Sequence, residues 1–467
     1  MGFAMSTTEP PLAPPHAPQH PPPQAPAAAP PSPGFTQALR FWLQLGFVSF
    51  GGPAGQIALM HAELVERRRW ISERRYLHAL NYCMLLPGPE AQQLATYIGW
   101  LMHGVKGGIA AGALFVLPSL FILVALSAIY MAFGNTPVEA GMLWAIKPAV
   151  TAIVLFAAWR IGSRALNNAA LWAIAGAAFV AIFFFQLPFP LIVLTAGCIG
   201  AAGGAWAPQW FRSRGGHGSA QVRAAAAVID DDTPTPAHAR FSRHRLLRYG
   251  AVGGLLWLAA FGALTALFGW QGVLTQMGWF FTKAALLTFG GAYAVLPYVY
   301  QGAVTEFGWL SAPQMIDGLA LGETTPGPLI MVAAFVGFVG GWGRPMFGPE
   351  HLFLAGAAAA LVVTFFTFLP SFLFILIGGP LIEATHGEIK FTAPLTAITA
   401  AVVGVILNLA LFFALHVLWP QGVQGRFEWL SLLIGVAAAV ALLRFNVTVI
   451  KLIAACALIG LVKGLFW

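Results

Sequence analysis

Phe50-Gly51-Gly52, Trp70 and Pro87-Gly88-Pro89 recur as Phe289-Gly290-Gly291, Trp309 and Pro326-Gly327-Pro328. Each landmark is displaced by the same 239 positions (51 to 290, 70 to 309, 88 to 327), with no gap between them. Ser72 matches Ser311, Leu80 matches Leu319, and Ser49 faces the similar Thr288. The chain therefore carries two copies of one domain, with helix breakers at equivalent places in both.

Composition sets the class. Of 467 residues, 58% are hydrophobic and 9% charged, against roughly 25% charged in soluble domains. Mean hydropathy is +0.77. Apolar stretches long enough to cross a hydrocarbon core, about 20 residues each, recur almost end to end. The short alternating segments of a membrane β-barrel are missing. An all-α polytopic membrane protein is expected, and duplicated apolar domains with broken helices are the pattern of a secondary transporter. The net charge of +8 lies largely in loops beside apolar segments, where it signals topology rather than nucleic-acid binding. Cys83, Cys198 and Cys456 are far apart in apolar stretches and suggest neither a disulfide framework nor a metal site. No Walker loop, HExxH or GxSxG marks an enzyme or an ATP-driven pump, and no cofactor is expected.

Residues 1–34 read as a disordered Pro-rich tail without the charged and apolar regions of a signal peptide. Residues 35–211 form the first repeat, with apolar segments near 35–60, 79–103, 107–133, 141–161, 168–187 and 189–211. A basic linker, 212–249, follows, then an extra apolar segment at 250–270. The second repeat, 271–467, has segments near 275–300, 312–341, 351–378, 393–418, 428–444 and 446–466, which makes thirteen in all. The odd segment turns the second repeat over, giving inverted-topology repeats. Charge agrees. The turn bearing Arg67, Arg68, Arg69, Arg74 and Arg75 is strongly basic, whereas its counterpart near Glu306 and Trp309 has no Lys or Arg. The first turn is thus expected in the cytoplasm with the N-terminus and the linker (Arg212, Arg214, Arg223, Arg240, Arg243, Arg245, Arg248), and the second outside. A full crossing by 35–60 would put the five-arginine turn outside. Two re-entrant hairpins, 35–60 and 79–103, with four crossings per half restore it to the cytoplasm; plain spans are the alternative.

The breaks carry the chemistry. Gly51-Gly52-Pro53 interrupts an apolar segment, and irregular backbone at membrane depth survives only where protein or a water-filled cavity satisfies it. Half-helix N-termini aim unpaired N–H groups and partial positive charge at such a cavity, which suits an anion; close packing through small residues is the competing explanation. Pro-Gly-Pro cannot continue a regular helix. Polar groups gather at these breaks: Gln56 and His61 after the first, Glu90, Gln92 and Gln93 after Pro89, and Glu323, Thr324 and Thr325 before Pro326. A carboxylate repels an anion, so Glu90 and Glu323 read as proton carriers or ion-pair partners, or as structural caps. Among cations near the breaks, Lys283 is expected to compensate charge, whereas Arg40 snorkels to the interface.

The stretch from Phe47-Val48-Ser49-Phe50-Gly51-Gly52-Pro53-Ala54-Gly55-Gln56 through His61, Glu63 and Trp70 to Leu85-Leu86-Pro87-Gly88-Pro89-Glu90-Ala91-Gln92-Gln93-Leu94 closely resembles the chromate ion transporter family. The second copy is similar but weaker, with Ala292 in place of the proline at Pro53 and Thr325 in place of Leu86. Two domains in one chain resemble the long-chain branch. The resemblance implies a multi-pass bacterial inner-membrane protein that exports chromate and confers resistance, with sulfate as a related oxyanion. Read with the breaks, the substrate is expected near the midplane, held by the backbone of Gly51, Gly52, Gly88, Gly290, Gly291 and Gly327, with Gln56 and Gln92 as donors. Partners are then chromate and the bilayer, and a homo-oligomer is compatible with the sequence. Sulfate as the principal cargo, a passive anion channel and a membrane enzyme acting on a lipid-linked phosphate are the rival readings.

Overall fold

The computed structural model describes residues 30–134, 136–211, 226–385, 392–422 and 424–466. Most of the Pro-rich leader and Arg212, Arg214 and Arg223 lie outside the described residues. Among the described residues the chain has seventeen α-helices and no β-strand, and six helices are long and apolar enough to cross a membrane. It is an all-α polytopic membrane protein.

The segments expected at 35–60 and 79–103 are each divided. The first becomes α1 (Phe35–Val48) and α2 (Gly52–His61), the latter extended by a π-helical turn, Ala62–Arg67. The second becomes α3 (Glu73–Leu85) and the first arm of α4 (Glu90–Phe133). A helix of 14 residues such as α1 is about 21 Å long, too short for a hydrocarbon core of about 30 Å. The chain folds back at each break. Phe41 of α1 packs on Trp70 beyond α2, and Tyr82 of α3 packs on Tyr97 of α4. Both hairpins open on one face, where the Pro33 carbonyl meets His103 and the Trp100 carbonyl meets His238 of the linker. Helix α4 itself reverses at His103 and Gly104, whose dihedrals are non-helical. Its two arms run so close that a Cβ on Gly107 would lie 2.3 Å from the Gly99 carbonyl oxygen. The second arm then crosses to the opposite face.

Helices α5 (Pro137–Ala165), α6 (Ala169–Phe183) and α7 (Phe189–Trp206) complete the first half, and a short α8 (Pro208–Phe211) leads to the linker. The extra segment is α9 (Arg243–Phe268). It buries only Gly253, against Leu373, and exposes Leu255, Leu258 and Leu267, as a peripheral lipid-facing helix does. The second half repeats the plan with α10 (Val273–Leu287), α11 (Ala292–Tyr300), a π-helical turn (Gln301–Glu306), α12 (Ala312–Thr324), α13 (Val332–Trp342), α14 (Leu352–Thr385), α15 (Thr392–Leu418), α16 (Trp429–Arg444) and α17 (Val449–Phe466).

The repeat extends to single residues. Ser72 and Ser311 cap α3 and α12. Left-handed backbone occurs at Gly51 and Gly290, Gly52 and Gly291, Arg69 and Gly308, and Gly88 and Gly327. By α7 and α17 the displacement has grown to 260 (189 to 449), and left-handed Gln186 and Asn446 keep that register. The second half is inverted. Its Trp309 turn lies beside Gly340 and Arg344, at the face where α9 ends and Phe268 meets Phe347. Glu383 at the end of α14 reaches back to the linker face. The halves also exchange their last helices: Gly200 of α7 packs on Ala393 and Ala397 of α15, and Gly460 of α17 on Gly141 and Met142 of α5.

Inversion predicts opposite accessibility for equivalent positions. In a chain with Cys83, Cys198 and Cys456 replaced by alanine, Arg67→Cys and Glu306→Cys, both exposed in the parent, are expected to react with an impermeant thiol reagent from opposite sides of the membrane. Labelling of both from the same side would contradict the inversion.

Candidate functional site

The four breaks meet in two cross-half pairs. The Gly88 N–H donates to the Thr288 carbonyl at 2.7 Å, and the Gly327 N–H donates to the Ser49 carbonyl at 2.8 Å. Thr288 and Ser49 stand immediately before the two Phe-Gly-Gly motifs, so each Pro-Gly-Pro tip docks on the Gly-Gly break of the other half. At the tips φ is +126° for Gly88 and +105° for Gly327, a region open to glycine and costly for any residue with a Cβ. Four helical starts converge here: α2, α4, α11 and the 3₁₀ turn Leu329–Met331 that leads into α13. Their first-turn N–H groups have no intrahelical acceptor and carry the positive end of the helix dipole.

The backbone is symmetric and the polar side chains are not. Gln56 is fully buried and its Nε2 donates to the carbonyls of Gly327, at 2.5 Å, and Ser49, at 3.3 Å. The equivalent position in the second half is Val295. Glu90 opens α4 and points toward Gly291, where a Cβ would lie 3.8 Å from Oε1; Leu329 occupies the equivalent place. Glu323 is buried and accepts a hydrogen bond from the Tyr293 hydroxyl, and its equivalent is Met84. Gly51, Gly52, Gly322, Glu323, Thr325, Gly327 and Leu329 line a small cavity with room for about one water molecule. This conformation is closed around that cleft.

The other expected residues fall as follows. Gln92 is buried and donates to Thr96 Oγ1 at 3.0 Å, and Gln93 donates to the Pro87 carbonyl at 2.8 Å. Gly290 packs toward Thr399. Lys283 is placed away from the carboxylates, its ammonium 5.8 Å from the centroid of the Trp279 ring, and Trp279 belongs to the aromatic cluster facing α9. His61 joins Glu66 and Glu73 at the turn, outside the breaks, and Arg40 is exposed on the linker face.

Two partly buried ion pairs were not legible one residue at a time, because their partners come from opposite halves. On the linker face Arg75 of α3 meets Glu383 of α14 at 2.9 Å, and Tyr97 donates to the same carboxylate at 2.5 Å. Toward the other face Lys147 of α5 meets Asp317 of α12 at 3.4 Å, with the Tyr130 hydroxyl donating to Asp317 at 3.0 Å.

The tips leave no space for a side chain. A Cβ on Gly327 would lie 2.7 Å from Ser119 Cβ, so Gly327→Ala is expected to lower stability by about 2 kcal/mol, from backbone strain and overpacking. Gly176→Ala on α6, where a Cβ meets nothing within 4 Å, should leave the melting temperature of the purified protein unchanged or slightly raised.

Residues 36–201 and 275–461 match the protein family described as chromate transporter. The chain is 28% identical over 389 residues to the chromate transport protein of Cupriavidus metallidurans, covering 82% of this chain and 84% of that protein. It is 32% identical over 392 residues to the chromate transport protein of Pseudomonas aeruginosa, covering 80% of each. A probable chromate transport protein of Synechococcus elongatus is 26% identical over 377 residues, covering 80% of this chain and 84% of that protein. No solved structure matches at a significant level. With a family match spanning both repeats and relatives aligned over four-fifths of its length, the chain belongs to the chromate transporter family.

Proposed function

We propose that the protein exports chromate across the bacterial inner membrane by alternating access, with its N-terminus in the cytoplasm, and so confers chromate resistance. The observation that carries this reading is the pairing of each Pro-Gly-Pro tip with the opposite Gly-Gly break, where four helical starts face a common interior. Chromate is a tetrahedral dianion, and clustered N–H groups at helix starts suit such an ion. Gly51, Gly52, Gly290 and Gly291 would supply the backbone of the cradle, and Gly88 and Gly327, whose N–H groups bond Thr288 and Ser49 in this conformation, would close its walls, with Gln56 and Gln92 at its edges. Glu90 makes no ion pair or hydrogen bond among the described residues and stands beside Gly291, a position suited to carrying a proton against the anion's movement. The basic Arg67–Arg75 turn favours a cytoplasmic linker face.

The closed cavity at the Gly51–Gly327 cleft requires a second conformation before a dianion can enter. The Arg75–Glu383 and Lys147–Asp317 pairs each join the two halves, one toward either face, so rocking of one half against the other would open one while keeping the other. A negative interior assists exit of anions by roughly 2.3 kcal/mol per charge per 100 mV.

The test is uptake of labelled chromate into inside-out vesicles holding the purified protein. Saturable uptake that persists in excess sulfate is expected, and Gly51→Leu should abolish it while the protein remains in the membrane, because the side chain fills the cradle at a left-handed position. Glu90→Gln should remove the response to an imposed pH gradient. Sulfate movement without chromate movement would leave the oxyanion site standing and overturn the cargo, and full activity of Gly51→Leu would overturn the site.

A further inference from the structure

A second motif is duplicated in the chain: Leu117-Pro118-Ser119 on α4 and Leu369-Pro370-Ser371 on α14. Its displacement is 252 (119 to 371) rather than 239, because α13 and α14 are joined by a connection much longer than the tight turn at His103–Gly104. Both serines are 1% exposed, and neither hydroxyl has a protein hydrogen-bond partner among the described residues.

Among the described residues Ser49, Ser127 and Thr275 are also buried with unpaired hydroxyls, but no two of those three stand at equivalent places in the repeats, as Ser119 and Ser371 do. A hydroxyl buried within a helix can turn back to the carbonyl four residues earlier, as Thr282, Thr364 and Thr367 do. Ser119 and Ser371 do not. A buried hydroxyl left unpaired is costly, and two of them at equivalent places call for a common partner.

Their surroundings point to it. Ser119 Oγ lies 3.1 Å from the place a Cβ would take on Gly327, and Ser371 Oγ 2.5 Å from the corresponding place on Gly88. Each serine therefore faces the Pro-Gly-Pro tip of the other half, within the cross-half pairs. Further unpaired carboxamide oxygens stand at the same tips, Gln56 Oε1 at Gly327 and Gln93 Oε1 at Gly88. Those oxygens can only accept, so of these unpaired groups the serine hydroxyls are the ones able to donate.

Building on the proposed oxyanion transport, we propose that Ser119 and Ser371 are substrate-binding residues, each donating its hydroxyl to a tetrahedral oxyanion held against the Pro-Gly-Pro tip of the opposite repeat. The repeats then hold two related half-sites, each composed of a tip from one half and a serine from the other.

The test uses the full-length protein as wild type, Ser119→Ala, Ser371→Ala and the double variant. Melting temperature is measured in detergent with and without chromate, and KM and Vmax for chromate in inside-out vesicles. Without chromate the variants should melt at or above the wild-type temperature, since an unpaired buried hydroxyl has been removed. The stabilisation by chromate should shrink, and KM should rise about tenfold or more per serine, the loss expected for one hydrogen bond to a charged group. Unchanged KM and an unchanged chromate shift would overturn the proposal. So would a lower melting temperature without chromate accompanied by a loss confined to Vmax, the mark of a structural hydroxyl. If the wild type itself shows neither chromate shift nor uptake, the transport reading fails and the serine assignment falls with it.

Discussion

A backbone that leaves helical geometry in the middle of a membrane has to find its hydrogen bonds inside the protein. Here those bonds come from the opposite repeat. The N–H of Gly88 is satisfied by Thr288 and that of Gly327 by Ser49, so neither half completes its own breaks. The exchange of terminal helices through Gly141, Gly200 and Gly460 follows the same plan on a larger scale. The result is an interlocked pair in which the weakest stretches of backbone lie against each other at the centre.

Duplication supplies the scaffold, and divergence supplies the chemistry. Equivalent glycines adopt equivalent left-handed conformations, and equivalent serines cap equivalent helices. The acids do not match: Glu90 stands where the other half has Leu329, and Glu323 where it has Met84. A perfectly symmetric cradle would place a carboxylate at both clefts in the same relation to the anion. Among the described residues this protein instead leaves one carboxylate, Glu90, without an ion-pair or hydrogen-bond partner and holds the other, Glu323, through Tyr293. The two clefts therefore differ chemically within an otherwise symmetric frame.

Much of the frame could be read in the sequence, because Gly and Pro act locally. The constant 239-residue displacement locates all four breaks, and the basic turn at Arg67–Arg75, against an equivalent near Trp309 with no Lys or Arg, indicates the inversion. The folding back of 35–60 and 79–103 also followed from that charge argument. Interactions made across halves were harder to read. Arg75 and Glu383, or Lys147 and Asp317, are not related by any helical spacing, and only the fold brings them together. Lys283 illustrates the limit for a single residue: its position in an apolar run placed it near the break, but its side chain leaves α10 on the face toward Trp279. The Leu-Pro-Ser pair escaped a comparison made at one displacement, since the longer connection after Trp342 shifts the register by thirteen residues between Gly327 and Ser371.

The most direct test of the central claim is a structure of the full chain with chromate bound, the chromium located by its own anomalous scattering. The account predicts chromium in one of the two clefts between a Gly-Gly break and the opposite Pro-Gly-Pro tip, within hydrogen-bonding range of a helix start. Chromium found instead at the basic Arg67–Arg75 turn, or on a path that leaves both clefts closed, would contradict it.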